Sequence, residues 1–568
     1  MHESTRTIHE ESHVTKQSIL IEGGMIVDGS GSHARQADVL VSDGCIKQVD
    51  LGIQASADEI IDADGLHVCP GFIDLHAHTG LKILSEPLSP GKILQGVTTD
   101  VVGNCGLGLA PASSEIMEYL NKMAKDLLGG RESEGFLQLS QFKDRIRETG
   151  MSQNLAFLVP HGNVRAMVMG LDPGKPTRDQ LNRMRGIVDL AMTQGAFGMS
   201  TGLIYPPGSN SGTKELIELA KVVAAHGGFY ATHLRSEGGS VVKALKEAIN
   251  IGREASIPIQ ISHVKVGYFS RKTRGIIKTI EEARNSGLDV LADQYPYTAG
   301  CTSFGSVILP TWVFQGGMDA FQERLRDPKT RKRIIKDGTR NLLDMVNVPR
   351  ALRWMIPRAL FRLALRILSK GFLVTHVANH HDLEGTSLKE ILMQRYATSR
   401  GMFNKLLDFL ADENGVVTTC MFMIDDQKTL EPLMQAPWTC ISSDAYRGHP
   451  RSWGTFPRVL ARYVREKGIL SLEEAIHKMT GLPASRLGLQ DRGLIRPGYK
   501  ADLVIFNASE VQDRATYDAW DASPVGISRV LVNGEITAIK GSHVETKAGM
   551  ILEPPCSLQQ NVEKHLRK

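Results

Sequence analysis

The chain of 568 residues has no apolar run long enough, about 18 residues, to cross a bilayer as a helix. Its first residues, MHESTRTIHEESHVTKQ, lack the apolar core of a secretory leader and carry both charge signs. Cysteine is scarce and odd in number: seven, scattered at 45, 69, 105, 301, 420, 440 and 556. That suits reduced thiols better than a disulfide framework, and a cytoplasmic location is expected. Net charge is only +4, too little over this length to imply a nucleic-acid partner. There is no fixed-period repeat, no low-complexity tract and no G-x-S-x-G nucleophile element. The glycine-rich GNCGLG lacks the Lys-Ser/Thr of a phosphate loop, so its glycines read as tight backbone. What is present is 42% hydrophobic and 23% charged, enough to bury a large core.

Residues 1–16 read as a polar arm. From 17 to 69 the texture is short strands with Gly and Asp-Gly turns, and it returns in 486–550, before a tail at 551–568. Two such segments at opposite chain ends can pair into one small β-domain. Between them, over 70–485, eight apolar runs alternate with helical stretches: GFIDLH, TTDVVG, LAFLVP, AFGMST, GFYATH, IPIQISH, DVLADQ and TCISSD. Continuous hydrophobicity marks strands covered on both faces, and the alternation predicts an α/β chain with a (β/α)8 barrel.

The chemistry sits where those strands end. His76 and His78 form an H-x-H, and residues two apart in a strand point the same way. Cys105 follows the second strand, His233 and His263 end two others, and Asp444 ends the last. Singly, each reads as a buried hydrophobe, a satisfied core histidine or a cap. Together they converge on the carboxyl face of a barrel, which points to a shared metal site. Imidazole, thiolate and carboxylate suit zinc, with Cys105 bridging two ions or holding one with His233 and His263. Asp444 would take the proton from an activated water and pass it to the leaving group.

These motifs resemble the amidohydrolase superfamily and, more narrowly, the N-acyl-D-amino-acid deacylase (D-aminoacylase) family. The words that carry the resemblance are VVGNCGLGLAP, PHGNVR, STGLIYPPG, ATHLRSEG, ISHVK, DQYPYTAG, HPRSWGTFPRVLARY and DRGLIRPGYKADLVIF. The resemblance implies a barrel with a small β-sandwich built from both chain ends. It implies a tight zinc on Cys105, His233 and His263, a weaker second site on His76, His78 and Cys105, and Asp444 as general base. Cys105 stands in for the bridging lysine of many superfamily members, since AFGMSTG offers none. It also implies a small N-acyl amino acid as substrate, with Lys265, Arg451, Tyr205 and Tyr297 on its carboxylate; His161 and Glu237 lie near strand ends beside them. Two other readings share these residues: hydrolysis of another N-acyl amine or of a cyclic amide such as a hydantoin or dihydropyrimidine, and a non-catalytic scaffold.

Two features depart from the family pattern. The loop between Asp444 and HPR is short, AYRG, with Arg447 as the candidate reader of a substrate side chain. Within an insertion at 340–370, Arg358, Arg362, Arg366 and Lys370 recur at four-residue spacing among apolar residues. This basic amphipathic helix reads as a lid, or as a surface that docks on an anionic membrane or another protein. In a liposome flotation assay the docking reading expects loss of flotation when 350–370 is deleted; equal flotation would sink it.

Overall fold

The computed structural model describes residues 17–123, 133–267, 270–345, 366 and 369–555. The arm at 1–16, the end of the tail and all of 350–370 but 366, 369 and 370 lie outside the described residues. Eight parallel strands form the central sheet: β1 (Phe72–Asp74), β2 (Val97–Val102), β3 (Asn154–Pro160), β4 (Gly198–Gly202), β5 (Phe229–His233), β6 (Ile259–Ile261), β7 (Val290–Gln294) and β8 (Thr439–Ile441). They pair in chain order from β1 to β8. The Asp444 N–H, donating to the His76 carbonyl at 2.9 Å, spans the seam between the two end strands. The eight apolar runs of the sequence fall on these strands, and every residue within the strand bounds is buried. Helices cover the outer face, as a parallel sheet requires.

Those helices are amphipathic for a legible reason. Val241–Ala255 buries Val241, Ala244, Leu245, Ala248, Ile249, Gly252 and Ala255, spaced by three and four. Arg178–Thr193 opens on a capping box between Thr177 and Gln180. Among the described residues, no helix is long and apolar enough to cross a membrane.

A second, nine-stranded sheet draws on both chain ends. Leu503–Phe506 pairs antiparallel with His67–Pro70, which in turn lies beside Ile19–Ile26. A third sheet has three antiparallel strands, Ala299–Ser303, Phe372–Val377 and Val417–Phe422. It belongs to a lobe between β7 and β8 with its own core around Phe304, Phe321 and Phe409. The excursion is therefore wider than the 340–370 segment that the sequence marks. Its strands have the same apolar texture as barrel strands, and only their pairing sets them apart.

A buried polar knot ties the terminal sheet to the barrel. Arg492 donates to Asp502 and, at 2.8 Å, to Asn533 Oδ1. Asp502 also accepts from the Asn533 N–H at 2.7 Å and from Asn154 Nδ2, at the start of β3, at 3.1 Å. Removing the carboxylate strands a buried guanidinium, a change that costs about 3–5 kcal/mol. Asp502→Ala is expected to lower the unfolding free energy by that amount in guanidinium titrations; a loss below about 1 kcal/mol, the scale of an exposed pair, would show that the knot does not join the two sheets.

Candidate metal centre

Each strand end delivers its side chain by local geometry. His76 and His78 follow the end of β1 across a bend, with ring centroids 5.4 Å apart. Cys105 sits in a tight turn after β2 at φ 54°, between Gly103 and Gly106, both also left-handed. A Cβ on Gly103 would lie 2.3 Å from the Leu158 carbonyl oxygen, so the turn admits no other residue there. Asn104 pins the turn by donating to the Leu75 and Val101 carbonyls at 3.1 and 2.8 Å. His263 and Asp444 also adopt positive φ, 36° and 45°. Three non-glycine residues in this sparsely populated region face one another, the clustering seen where a site over-determines its backbone.

The Cys105 Sγ is the common point. It lies 3.3 Å from His76 Nε2, 3.7 Å from His233 Nδ1 and 3.6 Å from His263 Nε2. Two overlapping triplets, His76–His78–Cys105 and Cys105–His233–His263, each bring three ligand atoms within 4.8 Å of one another, all buried. Asp444 closes the ring: its Oδ1 is 3.2 Å from His78 Nε2 and 3.6 Å from His76 Nε2, and its Oδ2 is 3.0 Å from Arg451 Nη1.

Electrostatics are set by burial and by two ion pairs. Burial alone would raise the Asp444 pKa, but Arg451, His263 and His78 hold it well below the usual carboxylate range. Glu237 behaves likewise: burial is outweighed by Lys265, 2.5 Å away, and by His233 and His263. Burial pushes His233 down to about 3 and His76 well below its ordinary value, so both imidazoles are neutral. Burial, with Asp444 next, pushes the Cys105 thiol far up. Imidazoles around one thiol fit a borderline-soft divalent ion, whose charge would offset what burial imposes on the sulfur.

The residues expected on a substrate carboxylate divide. Lys265 lines the pocket, and so does Tyr205, whose hydroxyl is 2.9 Å from Thr302 Oγ1. Arg451 is fully buried behind Asp444, and its Nη2 donates to the Cys301 carbonyl at 3.3 Å. It is engaged with Asp444 rather than presented to the cavity. Tyr297 is beside the site: its hydroxyl donates to the Pro450 carbonyl at 3.3 Å, while Arg458 covers its ring. The tyrosine of DQYPY that lines the pocket is Tyr295, whose buried hydroxyl has no hydrogen-bond partner among the described residues. His161 faces Glu215 at 3.1 Å, and Arg447 lines a neighbouring cavity with Lys82 and Trp453; neither lines the central pocket.

Sequence reasoning missed Asp293 and Lys92. Asp293, on β7, accepts from the His263 N–H and Ser442 Oγ, both at 2.8 Å, and lies 3.5 Å from His76 Nδ1. Its position near the end of DVLADQ was the available signal. Lys92, buried, pairs with Asp74 and with Asp100 at 3.2 Å. Asp74 in turn accepts the N–H of His76 at 3.1 Å and of Ser443 at 3.0 Å, which sets the first and last strands in register.

Known proteins place this geometry in context. The profile of the amidohydrolase family matches residues 59–293 and 394–538. D-aminoacylase of Alcaligenes xylosoxydans xylosoxydans is 35% identical over 546 residues, 94% of this chain and 97% of that protein. A solved D-aminoacylase with a binuclear metal center, described by one-metal activation and second-metal attenuation, superposes with a TM-score of 0.77 at 32% identity over 95% of this chain and all of its own. N-acyl-D-glutamate deacylase of Bordetella bronchiseptica, complexed with zinc and a phosphonate mimic of the tetrahedral intermediate, superposes at 0.76 with 30% identity over the same shares.

Because both triplets share Cys105, Cys105→Ala is expected to lower the total metal of the purified protein, by elemental analysis against wild type, by the amount these triplets hold, with the circular dichroism spectrum unchanged. Total metal retained at wild-type level would show that sulfur is not the shared ligand.

Proposed function

We propose, for a chain that belongs to the D-aminoacylase family of the amidohydrolases, that this site hydrolyses the amide bond of N-acyl-D-amino acids to a D-amino acid and a carboxylate. The observation that carries the proposal is an ionised Asp444 beside two overlapping ligand triplets at the mouth of the barrel. Zinc is the proposed ion, held tightly by Cys105, His233 and His263, with His76, His78 and Cys105 as the weaker site. When bound, zinc supplies Lewis acidity toward the scissile carbonyl and lowers the pKa of water from 15.7 to about 7.

The chain's own residues do the rest. Asp444 takes the proton of the attacking water and delivers it to the departing amine nitrogen. Arg451 keeps Asp444 ionised and fixes its orientation. Lys265 and the free hydroxyl of Tyr295 receive the substrate carboxylate. Gly300 leaves them room, since a Cβ there would lie 3.3 Å from the Tyr295 hydroxyl and 3.8 Å from Lys265 Cε. The remaining wall includes Leu107, Leu120, Met421 and Met423, and no arginine is among the described residues lining the pocket. Such a wall favours a neutral, apolar side chain over an acidic one. The D preference is taken from the relatives. The six described cysteines are free thiols, which supports the proposed cytoplasmic location.

Amine release from matched N-acetyl-D- and N-acetyl-L-amino acids tests the reading. Release is expected from the D series, with Met, Leu and Phe ahead of Asp and Glu. Asp444→Asn is expected to cut kcat/KM by about 10²–10⁴-fold with zinc content unchanged. Equal turnover of both enantiomers would refute the substrate, and retained turnover in Asp444→Asn would refute the base.

A further inference from the structure

We propose that the lobe between β7 and β8 carries a separate, peripheral site for a divalent transition metal of the zinc class, formed by His376, His381 and Glu384. His376 is on the strand Phe372–Val377, and His381 opens the short turn His381–Leu383 that leads to Glu384. The Nδ1 atoms of both histidines lie 2.9 Å from the same carboxylate oxygen, Glu384 Oε1. The three donor atoms fall within 4.8 Å of one another, and the two rings stack at 5.9 Å with 30° between their planes. A tetrahedral zinc with bonds of about 2.0–2.1 Å needs donor-to-donor edges of about 3.3 Å, so small movements admit the ion. Two imidazoles and one carboxylate are the donor set of open, three-ligand zinc sites.

The surroundings hold these donors in place. His376 is buried, and Glu384 Oε1 also accepts the Val377 N–H at 3.3 Å. The buried Glu413 accepts the Asn379 N–H at 2.7 Å and lies 2.5 Å from His380 Nδ1. It thereby pins the turn before His381 and occupies the neighbouring His380, which leaves the pair 376 and 381 to Glu384. The His381 side chain is 63% exposed, so a fourth position is open to water. None of the three residues lines the central pocket.

The site also has a structural route inward. Thr375, next to His376, packs on Gly448, where a Cβ would lie 2.6 Å from Thr375 Cβ. Gly448 belongs to the loop that joins Asp444 to Arg451. An ion on His376 would therefore brace the strand against which that loop rests.

The test counts metal in the full-length protein dialysed against zinc. Because Cys105→Ala removes the central ligand, it isolates the peripheral site. Cys105→Ala is expected to retain one zinc equivalent that Cys105→Ala/His381→Ala loses. Glu384→Gln, which still accepts both imidazole hydrogen bonds but has no charge, is expected to lose the same equivalent. Equal zinc in Cys105→Ala with and without His381→Ala would overturn the site, whatever substrate the central pocket takes.

Discussion

The sulfur of Cys105 touches three of the four clustered imidazoles, at 3.3, 3.6 and 3.7 Å, and it reaches them only through a left-handed turn. Flanking glycines make that turn possible, because a side chain at Gly103 would collide with the backbone of β3. Every other position in the centre is set relative to this atom. His76 and His78 come to it from β1, His233 from β5 and His263 from the end of β6. The barrel supplies the approach, since parallel strands closed on themselves must bring their carboxyl ends to one face.

Charge balance is the second constraint. Two carboxylates, Asp444 and Glu237, lie beside the clustered imidazoles in a buried pocket, where each would cost several kcal/mol alone. Arg451 answers the first and Lys265 the second. The pairing keeps both carboxylates ionised, and it has different consequences on the two sides. Arg451 is buried and engaged, so it tunes the base. Lys265 lines the cavity, so it remains within reach of a ligand. Behind them, Asp74, Lys92, Asp100 and Asp293 form a deeper polar layer that fixes the backbone of His76, His263 and Ser443.

The lobe between β7 and β8 divides labour with the barrel. Barrel strand ends provide the ligand atoms and the base. The lobe contributes Thr302, Ser303, Ser306, Met421 and Met423 to the wall that a substrate side chain would meet. A cleft of about 840 Å³, lined in part by Arg235, Lys243, Val307 and the same two methionines, adjoins this wall. Selectivity can therefore change with the lobe while the chemistry at the strand ends stays constant, the usual way one barrel serves many substrates.

The eight barrel strands were legible because both of their faces are buried, which leaves continuous apolar runs, five of them finishing at a His, Cys or Asp. The pairing of the two chain ends was legible from shared texture. Tyr295 and Tyr297 were not separable, because they stand two positions apart in a tight YPY turn whose fold decides which ring faces the cavity. Arg451 was readable as a charge near the site, but not as a buried partner of Asp444, since that depends on where the loop after β8 folds back. Asp293 looked like any strand-end carboxylate, and the lobe's strands looked like barrel strands. The order of strands, the ligand types and their spacing are local properties that the chain carries in its sequence alone. Which carboxylate meets which cation, and which side chain enters the pocket, are long-range contacts that only tertiary packing decided.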